Sequence, residues 1–335
     1  MVGWRSSALI IAAMPDLDPT RATRNAYFQI HLCVLLWGFT AILGKLITLP
    51  ALPLVWWRML LVVGALLLVP RVWRGLRAMS WRLRGAYAGI GVLVALHWLT
   101  FYGAIKLSNA SVGATCMALG TVFVAMVEPW IARTRFSKRD LLLGVAVLPG
   151  IALVVGGVPS GMHAGIAVGA VSAFFVAIFG SLNKRLVEHG DPLTVTALEL
   201  GAGTLALTVL APAMAFLPGI SHAFDGDLLA VPGARDLALL VALSLACTLF
   251  PFALSLAALR HMSAFAQQLA VNLEPVYAIV LAILLLGEQR ELTLSFYAGV
   301  AIILSAVFLH PLLGKPRPLS QPEVLGCAEG KGVAE

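Results

Sequence analysis

Apolar residues run along this chain in long uninterrupted stretches, separated by short polar punctuation. A hydrocarbon core about 30 Å thick takes about 20 helical residues to cross. Windows of that length predict ten spans, at 29–49, 53–70, 85–105, 111–132 and 141–157, then 164–183, 192–216, 236–257, 264–287 and 293–312. In lipid a segment must satisfy its own backbone polar groups, so these runs predict helices. The connections are short, so neighbouring helices are expected to run antiparallel. The expected fold class is therefore all-α and integral to a membrane. Residues 29–157 and 164–312 form two five-helix units, flanked by a leader (1–28) and a tail (313–335) expected to be cytoplasmic and disordered. The apolar stretch Ala8–Met14 is short for a signal segment and meets Pro15 and Asp16 with no small-residue cleavage pattern, so it reads as leader. Met14 is an alternative start.

The two units echo each other. A shift of 139 residues carries Lys45 onto Lys184 and Pro53-Leu54 onto Pro192-Leu193. Further along, FYGAIKLSNA (101–110) resembles LSLAALRHMSA (254–264), and LGTVFVAM (119–126) falls on EPVYAIVL (274–281) at a shift of 155. The extra residues fit in the Gly- and Pro-containing loop 217–235. Units with an odd number of helices must lie in opposite orientations. Such inverted repeats hold a site near the bilayer midplane, between the halves.

Composition agrees: 60% of the residues are hydrophobic and 12% charged, with mean hydropathy +0.94, where a soluble chain carries about 25% charge. The net charge of +7 is no nucleic-acid signal, because Lys and Arg sit between apolar runs. With the N-terminus inside, eighteen of the 23 Lys and Arg residues fall on the inner side, against Lys45, Lys106, Arg235 and Arg290 outside. Both termini are thus expected to be cytoplasmic, in a bacterial-type inner membrane. Cys33, Cys116, Cys247 and Cys327 lack paired spacing and read as inert thiols rather than disulfides or metal ligands.

LEPVYAIVLAILLLGEQ (273–289) followed by Gly299, together with Trp37-Gly38, Lys45 and Arg58, resembles the EamA-type branch of the drug/metabolite transporter superfamily. The resemblance covers roughly 29–312. It implies ten helices, both termini inside, and metabolite or drug transport, often export; it names no substrate. The first half departs from the family pattern: Gly120 stands where the Pro would be, and Arg133-Thr134 replaces Gly-Glu.

Ionisable residues inside spans are costly and tend to face a cavity or a partner. Those here are Arg58, His97, Glu128, Glu199 and Glu274. At 1.5 Å per residue, Arg58 lies about 7 Å from the outer edge, His97 about 18 Å and Glu274 about 15 Å from the inner edge. These three are near enough in depth to share a cavity. Arg58 suits an anionic substrate group, or else snorkels outward. Glu274 precedes Pro275, whose missing N–H opens a kink; it suits a substrate amine or a coupling proton, or is satisfied by neighbouring helices. His97 reads as a proton relay or an interior hydrogen-bonded histidine. Glu128 and Glu199 are gating or proton-coupling candidates alongside Glu274 and His97. Trp37, Thr40, Trp98, Tyr102, Gln268, Asn272 and Tyr277 complete the candidate cavity, with Gln267 nearby. Glu288 is expected to be solvated at the outer surface. Gly165 and Gly169 form GxxxG, a close-packing signal.

No catalytic residue, metal or cofactor is assigned. A Walker motif and the GxSxG and HExxH motifs are absent. The expected function is secondary-active transport of small polar, amino-acid-like metabolites, as an exporter working by alternating access. The alternatives are export of hydrophobic or cationic drugs, and an intramembrane enzyme acting on lipid-linked substrates. The expected partners are a small-molecule substrate and the lipid bilayer, not nucleic acid, with the chain a monomer or homodimer.

Overall fold

The computed structural model describes residues 19–133, 135–214, 216 and 221–312, and among these every regular element is helical. Helix α1 spans Pro19–Leu46, α2 Ala51–Leu67, α3 Pro70–Ala78, α4 Trp81–Leu107, α5 Ala110–Cys116, α6 Leu119–Ile131, α7 Lys138–Ala146 and α8 Leu148–Gly156. The second half comprises α9 His163–Leu186, α10 Pro192–Met214, α11 Ala234–Ser244, a π-helical turn Leu245–Leu249, α12 Phe250–Leu259, α13 Ala264–Val271, α14 Glu274–Leu286 and α15 Leu294–Leu312. Eight stretches among the described residues are long and apolar enough to cross a membrane. The second expected span ends at Leu67 rather than at residue 70. Pro70 lacks an N–H to continue α2 and starts α3 instead, at 91° to it. The tenth expected span corresponds to α15, a shorter apolar helix.

One expectation is corrected at the N-terminus. Residues 19–28, assigned to a disordered leader, are the first turns of α1. Pro19 is preset for the first helical position, and the polar turns carrying Arg21 and Arg24 extend the apolar span. The expectations for 1–18 and for the tail 313–335 fall outside the described residues, as does Cys327. Cys33, Cys116 and Cys247 are free and buried.

The two halves interlock with pseudo-twofold logic. Helix α4 of the first half packs on α9 and α10 of the second, while α1 packs on α12 and α14. The fifth and tenth spans also pair, α8 on α15, and here glycines decide the approach. A Cβ on Gly299 would sit 2.4 Å from the Gly150 carbonyl oxygen, and one on Gly150 2.7 Å from that of Gly299. Gly165 and Gly169 play the same part on α9: side chains there would strike Ser108 and Cys116.

The fourth and ninth spans are both broken, at Met117-Ala118 (between α5 and α6) and at Asn272-Leu273 (between α13 and α14). The breaks are one repeat apart. The second lies just before Pro275, which cannot donate to a preceding carbonyl; the first has Gly120 in the corresponding place. The two breaks touch each other. Gln268 Nε2 donates to the Met117 carbonyl at 3.2 Å, and Asn272 Nδ2 donates to Thr121 Oγ1 at 2.6 Å. Gly120 permits this crossing, since its Cβ would lie 2.7 Å from Gln268 Nε2.

Each broken span is capped by the other. Glu128, near the end of α6, accepts from the backbone N–H groups of Ala264 (2.9 Å) and Phe265 (2.8 Å) at the start of α13. Glu288, past the end of α14, accepts from Ala110 N (3.0 Å), Ser111 N (3.0 Å) and Ser111 Oγ (2.6 Å) at the start of α5. Asn109 and Ser263 take one further N–H at each site. The first-turn donors of both helices are thereby satisfied, with a carboxylate where the helix dipole favours one. The expectation that Glu288 is solvated is therefore wrong. It is 3% exposed, because the start of α5 folds over it.

Candidate functional site

Between the halves lies a cavity of about 100 Å³. The first half contributes Trp37 and Thr40 from α1, Arg58 from α2, and His97, Trp98 and Phe101 from α4; the second adds Gln267 and Gln268 from α13 and Glu274 from α14. Phe179 of α9 and Phe252 and Ser255 of α12 complete most of the wall.

Arg58 is 2% exposed and held from three sides. Its Nε donates to Thr248 Oγ1 at 2.6 Å and its Nη1 to Tyr102 Oη at 2.9 Å. The guanidinium lies 3.8 Å from the centroid of the Trp98 ring, a cation–π contact. Thr248 reaches this position from the π-helical turn, where its hydroxyl also donates to the Leu243 carbonyl at 2.6 Å. Such turns re-aim side chains and recur at functional sites. Among the described residues, Arg58 forms no ion pair within 4.0 Å. It is thus a buried cation held by hydroxyls and an aromatic ring, not a snorkelling one.

Glu274 stands at the first position of α14, just past the break, and is 6% exposed. It lines the same cavity as Arg58 without pairing with it. Gln267 adds a carbonyl oxygen that has no partner in the protein. Thr40 directs its hydroxyl to the Trp37 carbonyl at 2.7 Å.

His97 is tied by Nδ1 to Ser172, at 3.0 Å from the carbonyl oxygen and 2.8 Å from Oγ, while that hydroxyl donates to the His97 carbonyl. Its ring packs between Phe101 and Phe179, with centroids 6.2 and 5.4 Å away. His97 thus lines the cavity as an oriented imidazole, and its partner is a serine rather than a carboxylate.

The remaining sequence candidates are placed elsewhere. Tyr102 is buried behind Arg58 and orients it. Asn272 spends its Nδ2 on the bridge to Thr121, and its Oδ1 has no partner among the described residues. Tyr277 packs beside α1, where Gly38 leaves room: a Cβ there would lie 2.6 Å from the Tyr277 Cβ. Glu128 caps α13. Glu199 is fully buried on α10, outside the cavity wall. Sequence reasoning missed Ser172, Thr248, Phe179, Phe252 and Ser255, all ordinary residues within apolar runs; only their assembled positions mark them.

The cavity lining runs from Arg58 and Thr40 toward Gly180 and Ala264. At the opposite end of these helices Thr48 donates from N and Oγ1 to Asp236, Lys106 reaches the Ile47 carbonyl, Lys45 the Ser108 carbonyl, and Asn109 the Glu291 carboxylate. At the end marked by Gly180 and Ala264, Gly180 lies one turn of α9 from Lys184, and Ala264 follows Arg260 by four residues across the turn between α12 and α13. That end also carries the basic helix α3, whose Arg71 pairs with Asp191.

The chain matches the family model for EamA-like transporters twice, over residues 24–156 and 163–310. No curated protein matches it in sequence. Its fold recurs among solved structures. One, a crystal structure of a protein, superposes with a TM-score of 0.62 over 87% of this chain and 97% of that one, at 15% identity, a likeness that speaks for the fold alone. The two matched segments are the halves whose broken helices cross beside the cavity, and the chain belongs to the EamA-like transporter family, as a multi-pass membrane transporter of the drug/metabolite type.

Proposed function

We propose that the protein is a secondary transporter carrying small zwitterionic metabolites of the amino-acid type, by alternating access around the cavity. The carrying observation is the pair Arg58 and Glu274: a base and an acid, both buried, lining one cavity with no direct ion pair between them. Burying an unpaired charge is expensive, and an incoming zwitterion relieves both deficits together. Arg58 takes the carboxylate, with the planar fork suited to it, and Glu274 takes the ammonium beside the Gln267 carbonyl. The cavity volume suits a compact solute rather than a lipid-linked one. The excess of Lys and Arg at the end toward which the cavity extends supports a cytoplasmic assignment for that end, with both termini there and export as the working direction.

The test is uptake of pooled radiolabelled amino acids into proteoliposomes. Arg58→Lys and Glu274→Gln are each expected to lower flux at least tenfold at normal expression and folding. Unaltered flux in both would sink the proposal. The aromatic wall of Trp37, Trp98, Phe101, Phe179 and Phe252 favours a second reading, export of aromatic cations; there Glu274→Gln abolishes flux while Arg58→Lys leaves it intact.

A further inference from the structure

Glu199 is the most deeply buried acid outside the cavity, at 0% exposure, on the face of α10 that packs against α4. The helices are in backbone contact there: a Cβ on Gly91 would lie 2.0 Å from the Glu199 carbonyl oxygen. One carboxylate oxygen, Oε2, receives a long hydrogen bond from Asn183 Nδ2 at 3.4 Å. The other, Oε1, has no partner, and neither does Asn183 Oδ1, although Asn183 is only 3% exposed. Two unsatisfied acceptors therefore sit in one buried pair.

Among the described residues, no cation of the surrounding elements donates to them. On α4, His97 is committed to Ser172 and Tyr87 donates to the Leu186 carbonyl. On α9, Lys184 donates to the Leu259 carbonyl and Arg185 is exposed, and beyond α9 Glu188 is exposed. After α12, Arg260 donates to the carbonyls of Val187 and Gly190. On α2, Arg58 is held by Thr248 and Tyr102. On α3, Arg71 pairs with Asp191, while Arg74 and Arg77 are exposed. An ionised Glu199 here would bear the full penalty of a lone charge away from water.

We infer that Glu199 and Asn183 form a proton-binding site, separate from the substrate cavity, which carries the coupling proton of the transport cycle. One proton on Glu199 converts an acceptor into an O–H donor, for which the Asn183 carbonyl oxygen is the unused acceptor, so a single proton removes both deficits. A metal ion would need more oxygen ligands than this pair supplies. A void of about 10 Å³ lies beside Asn183, lined by Tyr87, Val187, Gly190, Pro192, Val195 and Leu256. It is at the lower limit for one water, and it lies toward the basic face, where a proton can leave. The same α4 carries His97 and Trp98 into the cavity. Charging Glu199 favours admitting water along the seam of α4, α9 and α10, and this ties proton release to movement of the cavity wall.

The coupling role rests on the transport reading; the protonation does not, and the two are tested separately. Infrared difference spectra of the purified full chain are expected to show a protonated-carboxyl stretch at neutral pH. That band should be lost in Glu199→Gln, retained in Glu274→Gln and shifted in Asn183→Leu. A band that persists in Glu199→Gln, or one removed by sodium at fixed pH, overturns the site. In proteoliposomes fed pooled radiolabelled amino acids, accumulation driven by a pH gradient should fall tenfold or more in Glu199→Gln. Undiminished accumulation overturns the coupling role. Absence of accumulation in the unmodified protein refutes the transport proposal, and the infrared spectra still decide the site.

Discussion

The two broken spans do the same job with different parts. In the second half, α14 ends at Gly287, whose φ of 71° lies in the left-handed region where glycine is at ease. The chain then turns back to place Glu288 over the start of α5. In the first half, the positive φ falls at Arg133, 154 residues earlier and so one residue out of the 155-residue register, with φ 55°. The backbone has kept the turn although the glycine is missing. The carboxylate has moved instead, and Glu128, still within α6, reaches the start of α13. What the repeat conserves is therefore the physical requirement, a sharp helix end and an acid on the partner's first-turn N–H groups, rather than the residue position. The Gly-Glu pair of the family pattern is legible as one piece of this exchange, and its absence from the first half as a substitution of means.

This contrast can be broken by removing either acid. Glu288→Ala leaves three buried donors unanswered and is expected to cost about 4 kcal/mol; Glu128→Ala leaves two and should cost about 3 kcal/mol. Thermal melts of the purified protein in one detergent check the order, and equal costs would show that the two caps are not graded by their donors. The turns give a smaller effect of opposite sign. Gly287→Ala should destabilise by about 1 kcal/mol, and Arg133→Gly should stabilise by a similar amount, since only the latter relieves a side chain held at positive φ. The same melts read this out. A destabilised Arg133→Gly would mean that the arginine side chain contributes more than its backbone costs.

Much of the site was legible because charge in a span is conspicuous. Arg58, His97 and Glu274 stood out from apolar surroundings, and estimates of depth placed them within reach of one another. Thr248 and Ser172 were not legible. A hydroxyl in an apolar helix is ordinary, and nothing in LACTL announces the π turn that aims Thr248 at Arg58. Gln268 and Asn272 were recognised as polar and near the cavity. Only the crossing of the two breaks shows that the Asn272 amide nitrogen is spent on Thr121 while Gln268 both bridges and faces the cavity. Glu288 was misjudged for a related reason: its place just past the span end suggested water, and the element that covers it comes from 177 residues earlier in the chain.

By itself, the order of apolar runs and charged punctuation determined that this chain folds as helices in a membrane, as two related halves. Lipid leaves backbone groups no other partner, and that constraint acts locally, where sequence can be read. Which acids cap, which bind and which lie alone was decided only by tertiary structure. A carboxylate's role depends on what faces it, and in an inverted repeat the facing group belongs to the other half of the chain.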